Sequence, residues 1–294
     1  MNRAIPIVGL VAALMFAAGV ATCGVAATKI GINAAVRNKV DMQTTADASL
    51  RPARAREDVH LGDLVASGAQ SSLQMLLLDQ SVFTVGSNAR MRVDRFVYDP
   101  DRGTTDIAAS VAKGAFRFMS GRLTPDSGRE AIRTPVATIG VRGTIVSGAV
   151  GQDAVDVLAG EPGIPASGGS ADSAVLILLE GPGSGSQGFD MPGLIDVSGP
   201  AGTTTLSHGR SAMAFLPGQP VIGPFDLSDK AYRRLQALLA PSPGEGEPGG
   251  PDIGSAAAAS GDMLNVAEFD GRFLSDPQNL EFPFKQCEAI KQCH

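Results

Sequence analysis

Short period-two runs of apolar and polar residues dominate the middle of the chain. Val59-His60-Leu61-Gly62-Asp63-Leu64-Val65 opens the series, and further runs follow at 72–78, 81–86, 91–98, 105–111, 115–119, 131–134, 137–141 and 144–147. Gly, Asp, Asn and Pro punctuate them, most strongly at Asp99-Pro100-Asp101-Arg102-Gly103, where Pro presets φ and Gly accepts a positive φ. Strands recurring at this spacing predict an all-β fold, either a β-solenoid or a sandwich of short strands. No strict internal repeat is visible, so a solenoid would be irregular.

A glycine-rich stretch at 160–170 reads as a loop, and a second β region follows at 174–179, 194–197, 203–206 and 211–216. Val175-Leu176-Ile177-Leu178-Leu179 is apolar on both faces, which predicts a central strand covered on both sides. One helix is predicted C-terminally. Ser228 is its N-cap, Leu227 and Tyr232 staple its start, Ala231, Leu235, Leu238 and Leu239 repeat at helical spacing, and Pro241 stops it. It is expected to pack on a sheet edge. The predicted division is a signal peptide at 1–27, a polar lead-in or linker at 28–57, a β domain at 58–160, a β extension at 161–225, the helix at 226–240, and a low-complexity linker and tail at 241–294. Within the last segment, 241–260 is rich in Gly, Pro, Ala and Ser and is expected to be flexible, and Phe269, Phe273, Phe282 and Phe284 equip the tail to dock onto something.

The N-terminus changes the expected destination. Arg3 precedes a run without charge from Ile5 to Val20, closed by Ala21-Thr22-Cys23-Gly24-Val25-Ala26-Ala27. These are the parts of a secretion signal, with cleavage expected after Ala27. Two alternatives remain open: Val20-Ala21-Thr22-Cys23 approximates a lipoprotein box that would acylate Cys23, and the segment is also long enough to stay uncut as an anchor. A periplasmic or secreted protein is expected, membrane-bound only if Cys23 is lipidated or the signal is retained. Cys287 and Cys293 are a candidate disulfide, which suits an oxidising compartment.

Composition adds limits. The chain has 36 Gly and 19 Pro, and its formal net charge of -6 suggests neither nucleic acid nor an anionic membrane surface as a partner. With no Trp, a carbohydrate platform built on stacked Trp is excluded.

Several motifs approach chemistry without completing it. Gly183-Ser184-Gly185-Ser186-Gln187-Gly188 follows an apolar run as a dinucleotide fingerprint would, but Pro192 and Gly193 forbid the helix whose amides must meet a pyrophosphate. Ser207-His208 lacks the first glycine of a nucleophile elbow and is read as a loop pair. Asp99 and Asp101 flank a proline turn and are turn formers first; with Asp94 and Asp106 near in sequence they are a weak cation site second. No cofactor, metal or catalytic constellation is expected. Lys113-Gly114-Ala115-Phe116-Arg117-Phe118-Met119 alternates, so Phe116 and Phe118 should point inward and Arg117 outward, either solvated or as a partner contact.

Four blocks carry a resemblance: Val82-Phe83-Thr84-Val85-Gly86-Ser87-Asn88, Asp94-Arg95-Phe96-Val97-Tyr98-Asp99-Pro100, Lys113 through Gly121, and Thr134-Pro135-Val136-Ala137-Thr138-Ile139-Gly140-Val141-Arg142-Gly143-Thr144. In this order they resemble the FecR domain, over roughly residues 58–160. The resemblance implies an all-β periplasmic domain of a kind that relays a signal from an outer-membrane receptor toward a sigma factor. Only Met1, Asn2 and Arg3 precede the apolar segment, so a cytoplasmic arm is not expected, and an exported binding or scaffold module for an envelope protein or glycan is the first expectation. A periplasmic sensor in a FecR-type transport or surface-signalling system is the alternative. In the last block Gly140 and Gly143 are expected to permit tight backbone geometry, Thr134-Pro135 to fix the start of a strand, and Arg142 to hold carbonyls at a corner or to contact a ligand.

Overall fold

The computed structural model describes residues 27–45, 47–102, 104–121, 128–165, 169–182 and 193–240. In chain order the strands are β1 (Lys29–Arg37), β2 (Val40–Gln43), β3 (Arg51–Pro52), β4 (Asp58–His60), β5 (Leu64–Ser67), β6 (Ser72–Leu77), β7 (Val82–Val85), β8 (Arg90–Asp99), β9 (Thr104–Met119), β10 (Gly128–Arg133), β11 (Thr138–Arg142) and β12 (Thr144–Val150). Helix α1 (Gln152–Leu158) and a 3-10 turn (Ala171–Ser173) lead to β13 (Val175–Pro182), β14 (Leu194–Gly199), β15 (Gly202–Leu206), β16 (Ser211–Phe215), β17 (Ile222–Asp226) and helix α2 (Asp229–Leu239).

Pairing sorts the strands into two ladders that share β9. The first sheet runs β4-β1-β6-β7-β9-β12-β13-β16-β17. The second runs β3-β2-β5-β8-β9-β10-β11-β14-β15, and only its β9–β10 pair is parallel. β9 can serve both because it turns at Gly114, whose φ is 82° and where a Cβ would lie 2.1 Å from Ala89 Cα. No other residue fits there. Residues before the bend pair with β8 and β10, those after it with β7 and β12.

Alternation then builds the core. Side chains from both sheets meet in one buried cluster that includes Met42, Met75, Phe83, Met91, Phe116, Phe118, Ile132 and Ile139, with the Phe83 and Phe118 rings 4.7 Å apart. The all-β fold is as expected, with its strands in one large open sheet that bends at β9 and is not a closed barrel. The opposite face of the first sheet is apolar too: Ala115, Ala149, Leu176, Leu178, Ala212 and Ala214 pack under Val157 and Leu158 of α1 and Ala231, Leu235 and Leu239 of α2. Every side chain of Val175-Leu176-Ile177-Leu178-Leu179 is fully buried, as expected of a strand covered on both sides.

Two expectations are corrected. The stretch 28–57, expected as a linker, contains β1, β2 and β3, and β1 lies inside the first sheet between β4 and β6. Helix α2 lies on the face of the first sheet rather than at its edge, because the sheet presents small side chains there that let a helix approach. Its cap is as expected, with Ser228 Oγ accepting from the Ala231 amide. No helix among the described residues is long and apolar enough to cross a membrane. The expected signal at 1–27, Cys23, the Gly183–Gly188 motif, Cys287, Cys293 and the expected low-complexity tail lie outside the described residues, apart from Ala27.

Candidate functional site

The residues that approached catalytic or metal chemistry are placed in ordinary roles. Ser207 Oγ and the ring of exposed His208 are 3.4 Å apart on a loop. Asp99 accepts the amides of Asp101 and Arg102, both at 3.1 Å, which is a turn. Asp94 is taken by Arg92 at 2.7 Å and by Ser110, and Asp106 by Arg95 at 3.2 Å. These acids are neutralised by neighbours rather than gathered about a cation. Among the described residues no group of three His, Cys, Asp or Glu side chains is placed to hold a metal ion.

Arg117 is a correction. Its side chain leaves β9 on the face opposite Phe116 and Phe118, as alternation requires, but α2 covers that face and the residue is only 7% exposed. Its guanidinium pairs with Glu180 of β13 at 2.9 Å, donates to Ser147 Oγ of β12 at 3.0 Å, and reaches Gln236 of α2. Ser147 and Gln236 both also donate to Glu180, at 2.6 and 3.0 Å. The network fixes the helix on the sheet. Both ends of α2 are fastened as well: Glu161 accepts the Ser228 amide at 2.8 Å, and the Ser87 amide and hydroxyl both donate to the Leu238 carbonyl, at 2.8 and 3.1 Å. Asn88 completes the turn by donating to Asp153 of α1 at 3.1 Å.

A second buried polar cluster lies where the chain leaves β9 at Ser120. Asp79 holds the Ser81 amide and hydroxyl at 3.1 and 2.6 Å, and Ser120 donates to Glu130 of β10. Burial pushes Glu130 up to about 8, with the charge of Asp79 adding to the effect, and burial also raises Asp79. Glu130 Oε1 has no hydrogen-bond partner among the described residues. At neutral pH Glu130 is therefore mostly a neutral acid.

The remaining surface of consequence is the outer face of the second sheet, which no described element covers. Register places Arg92, Ser110, Arg133, Thr138 and Ser198 in one row across the strands. Val97, Asp106 and Arg129 stand in register in a parallel row, where Arg142 and Leu194 face each other farther along. Between the rows lies a shelf of short side chains, half-buried Ala131 and Gly140 with buried Ala108 beside them, ending at Asp196. Arg142 is 72% exposed and pairs with Asp196 at 3.2 Å, so it does not hold carbonyls as expected. Arg90, Arg129 and Arg133 are exposed and form no ion pair among the described residues.

Gly140 is the unexpected member. It was expected to serve tight backbone geometry, but its φ is not positive, and a Cβ there would meet nothing closer than Asp196 atoms at 3.8 Å. The fold leaves room for a side chain that is not there. Gly143, by contrast, has φ 59° in the turn to β12, and Thr134 Oγ1 accepts the Ala137 amide at 3.1 Å in the turn that carries Pro135. Sequence reasoning singled out Gly140 and Arg142 of this face and none of its other arginines, and only strand register shows that Ala108, Ala131 and Gly140 adjoin one another between arginines.

The family model described as FecR protein matches residues 63–161, about a third of the chain, from the turn before β5 to the residue that anchors α2. No curated protein matches the chain. Two crystal structures of a candidate anti-sigma factor from Parabacteroides distasonis are similar at 14% and 13% identity, with TM-scores of 0.38 and 0.37. Each covers 56% of this chain, and the chain spans 60% of the length of each.

Proposed function

We propose that this chain is an exported, non-enzymatic binding component of a FecR-type signalling system, and that it receives a protein partner on the outer face of its second sheet. The carrying observation is Gly140. A glycine in mid-strand weakens the strand and gives up a side chain that could pack, and it recurs where another backbone approaches closely. Neither the φ nor the packing of this chain asks for glycine at 140, so the space serves something outside the fold. The arginines flanking the shelf offer planar donors to carboxylates or carbonyls of such a partner. Export is supported by the apolar run between Ile5 and Val20.

Photo-crosslinking in the producing cell tests the face. A photoreactive residue in place of Thr138 should give a discrete adduct with a second protein, and one in place of exposed Lys230 on α2 should not. Adding Gly140→Val should remove the adduct without lowering the melting temperature. An adduct that persists with Gly140→Val, or appears equally from both positions, refutes the face. Intact mass of the envelope fraction tests export: a chain starting at Thr28 or lipidated at Cys23 supports it, and an unprocessed cytosolic chain overturns it.

A further inference from the structure

The charge of this protein is divided between two parts of the chain. Residues 241–294 hold nine Asp or Glu and three Lys or Arg, whereas residues 1–240 hold 21 of each. The whole formal net charge of -6 therefore belongs to the last 54 residues, and the remainder is balanced. Within that balanced part, the outer face of the second sheet carries Arg90, Arg129 and Arg133 with no acidic partner among the described residues.

We infer that the acidic tail, residues 241–294, docks on the arginine-flanked shelf of Ala108, Ala131 and Gly140 and competes there with the external partner. This rests on the reading of that face as the binding face. Length permits it: 54 residues reach up to roughly 180 Å when extended, several times the width of a domain this size. Charge favours it, since Asp94, Asp106 and Asp196 on this face are each taken by an arginine while Arg90, Arg129 and Arg133 keep no acidic partner among the described residues, and the tail holds nine acids; short side chains between the two arginine rows admit a main chain. Tethering strengthens it. A segment joined to its own site acts at an effective concentration of order 1 mM, so a tail whose own dissociation constant for the face is about 0.1 mM lowers the apparent affinity of a competing ligand by roughly tenfold.

The test uses a fluorescent oligoglutamate peptide as the probe and three full-length proteins: the unaltered chain, a chain whose nine tail acids are changed to Asn or Gln, and that chain with Gly140→Val added. The neutral-tail chain should bind the probe roughly tenfold more tightly than the unaltered one, with the difference shrinking as salt is raised. Gly140→Val should abolish the binding. Equal affinity of the unaltered and neutral-tail chains overturns the tail as occupant while leaving the face intact. Absence of probe binding in all three overturns the acid-binding face itself. As a second measurement, Arg133→Lys in the unaltered chain supplies an amine for zero-length carbodiimide coupling. Links from position 133 to tail acids of the same molecule are expected, and their absence counts against the inference independently of the probe.

Discussion

Replacing Glu130 by Gln should stabilise the protein at neutral and alkaline pH and leave it nearly unchanged in acid. The carboxyl lies buried beside Ser120, with the charge of Asp79 nearby, and its folded value of about 8 compares with an ordinary 4.5. Ionising it in place therefore costs roughly 5 kcal/mol, at about 1.4 kcal/mol for each tenfold. Between pH 4.5 and 8 the folded chain keeps this proton and the unfolded chain releases it. Stability thus falls as pH rises through that window, by up to about 1.4 kcal/mol per pH unit, and the contribution is complete only below the unfolded value. Gln is a neutral isostere that cannot titrate, so its stability should lack this slope. Urea unfolding of both proteins from pH 4 to 8.5 measures the difference. The curves should converge near pH 4 and separate by several kcal/mol at pH 8, with some of the separation shared with Asp79, which loses an unfavourable neighbour in the variant. Parallel curves across the whole range would show that Glu130 is ionised in the folded protein and would refute the burial argument.

Two further outcomes follow from the packing. Arg117→Met should destabilise by about 3–5 kcal/mol in urea unfolding, because it leaves Glu180 buried without its cation, and adding Glu180→Leu should recover most of the loss; a small effect of the single change would mean that the network does not fasten α2. Gly148→Ala places a Cβ 2.5 Å from the Leu176 carbonyl and 2.7 Å from the Phe116 ring, so a loss of about 1–3 kcal/mol is expected, whereas Gly140→Ala should be neutral or slightly stabilising. Equal melting temperatures for these two variants would remove the distinction on which the binding face rests.

Much of the fold was legible in the sequence because its strands alternate and its turns carry Gly, Pro, Asn and Asp. The doubly buried run at Val175–Leu179 and the cap at Ser228 were read from local chemistry alone. β1 was missed because Asn33, fully buried and donating to the Arg54 carbonyl, breaks the apolar period of a strand that is otherwise Ile- and Ala-rich. α1 was missed because seven residues after Gly151 carry too little period and no side-chain cap. Arg117 looked solvated for a different reason: a lone basic residue in an alternating strand normally faces water, and only α2, more than a hundred residues later, covers it. The candidate face depends on register, since Ala108, Ala131 and Gly140 lie far apart in sequence and become neighbours only once β9, β10 and β11 pair.

The fastening of α2 has a consequence for the order in which the molecule can be completed. A chain made from the N-terminus presents the first-sheet strands from β1 to β13 before residues 229–239 exist, and β1 must wait for β6 before it has its long pairing partner. During that interval Ala115, Ala149, Leu176 and Leu178 form an apolar face with one of its two covering helices missing. Maturation therefore ends with a C-terminal closing step, and a polypeptide interrupted before Ser228 would carry a sticky, half-dressed sheet into a crowded compartment.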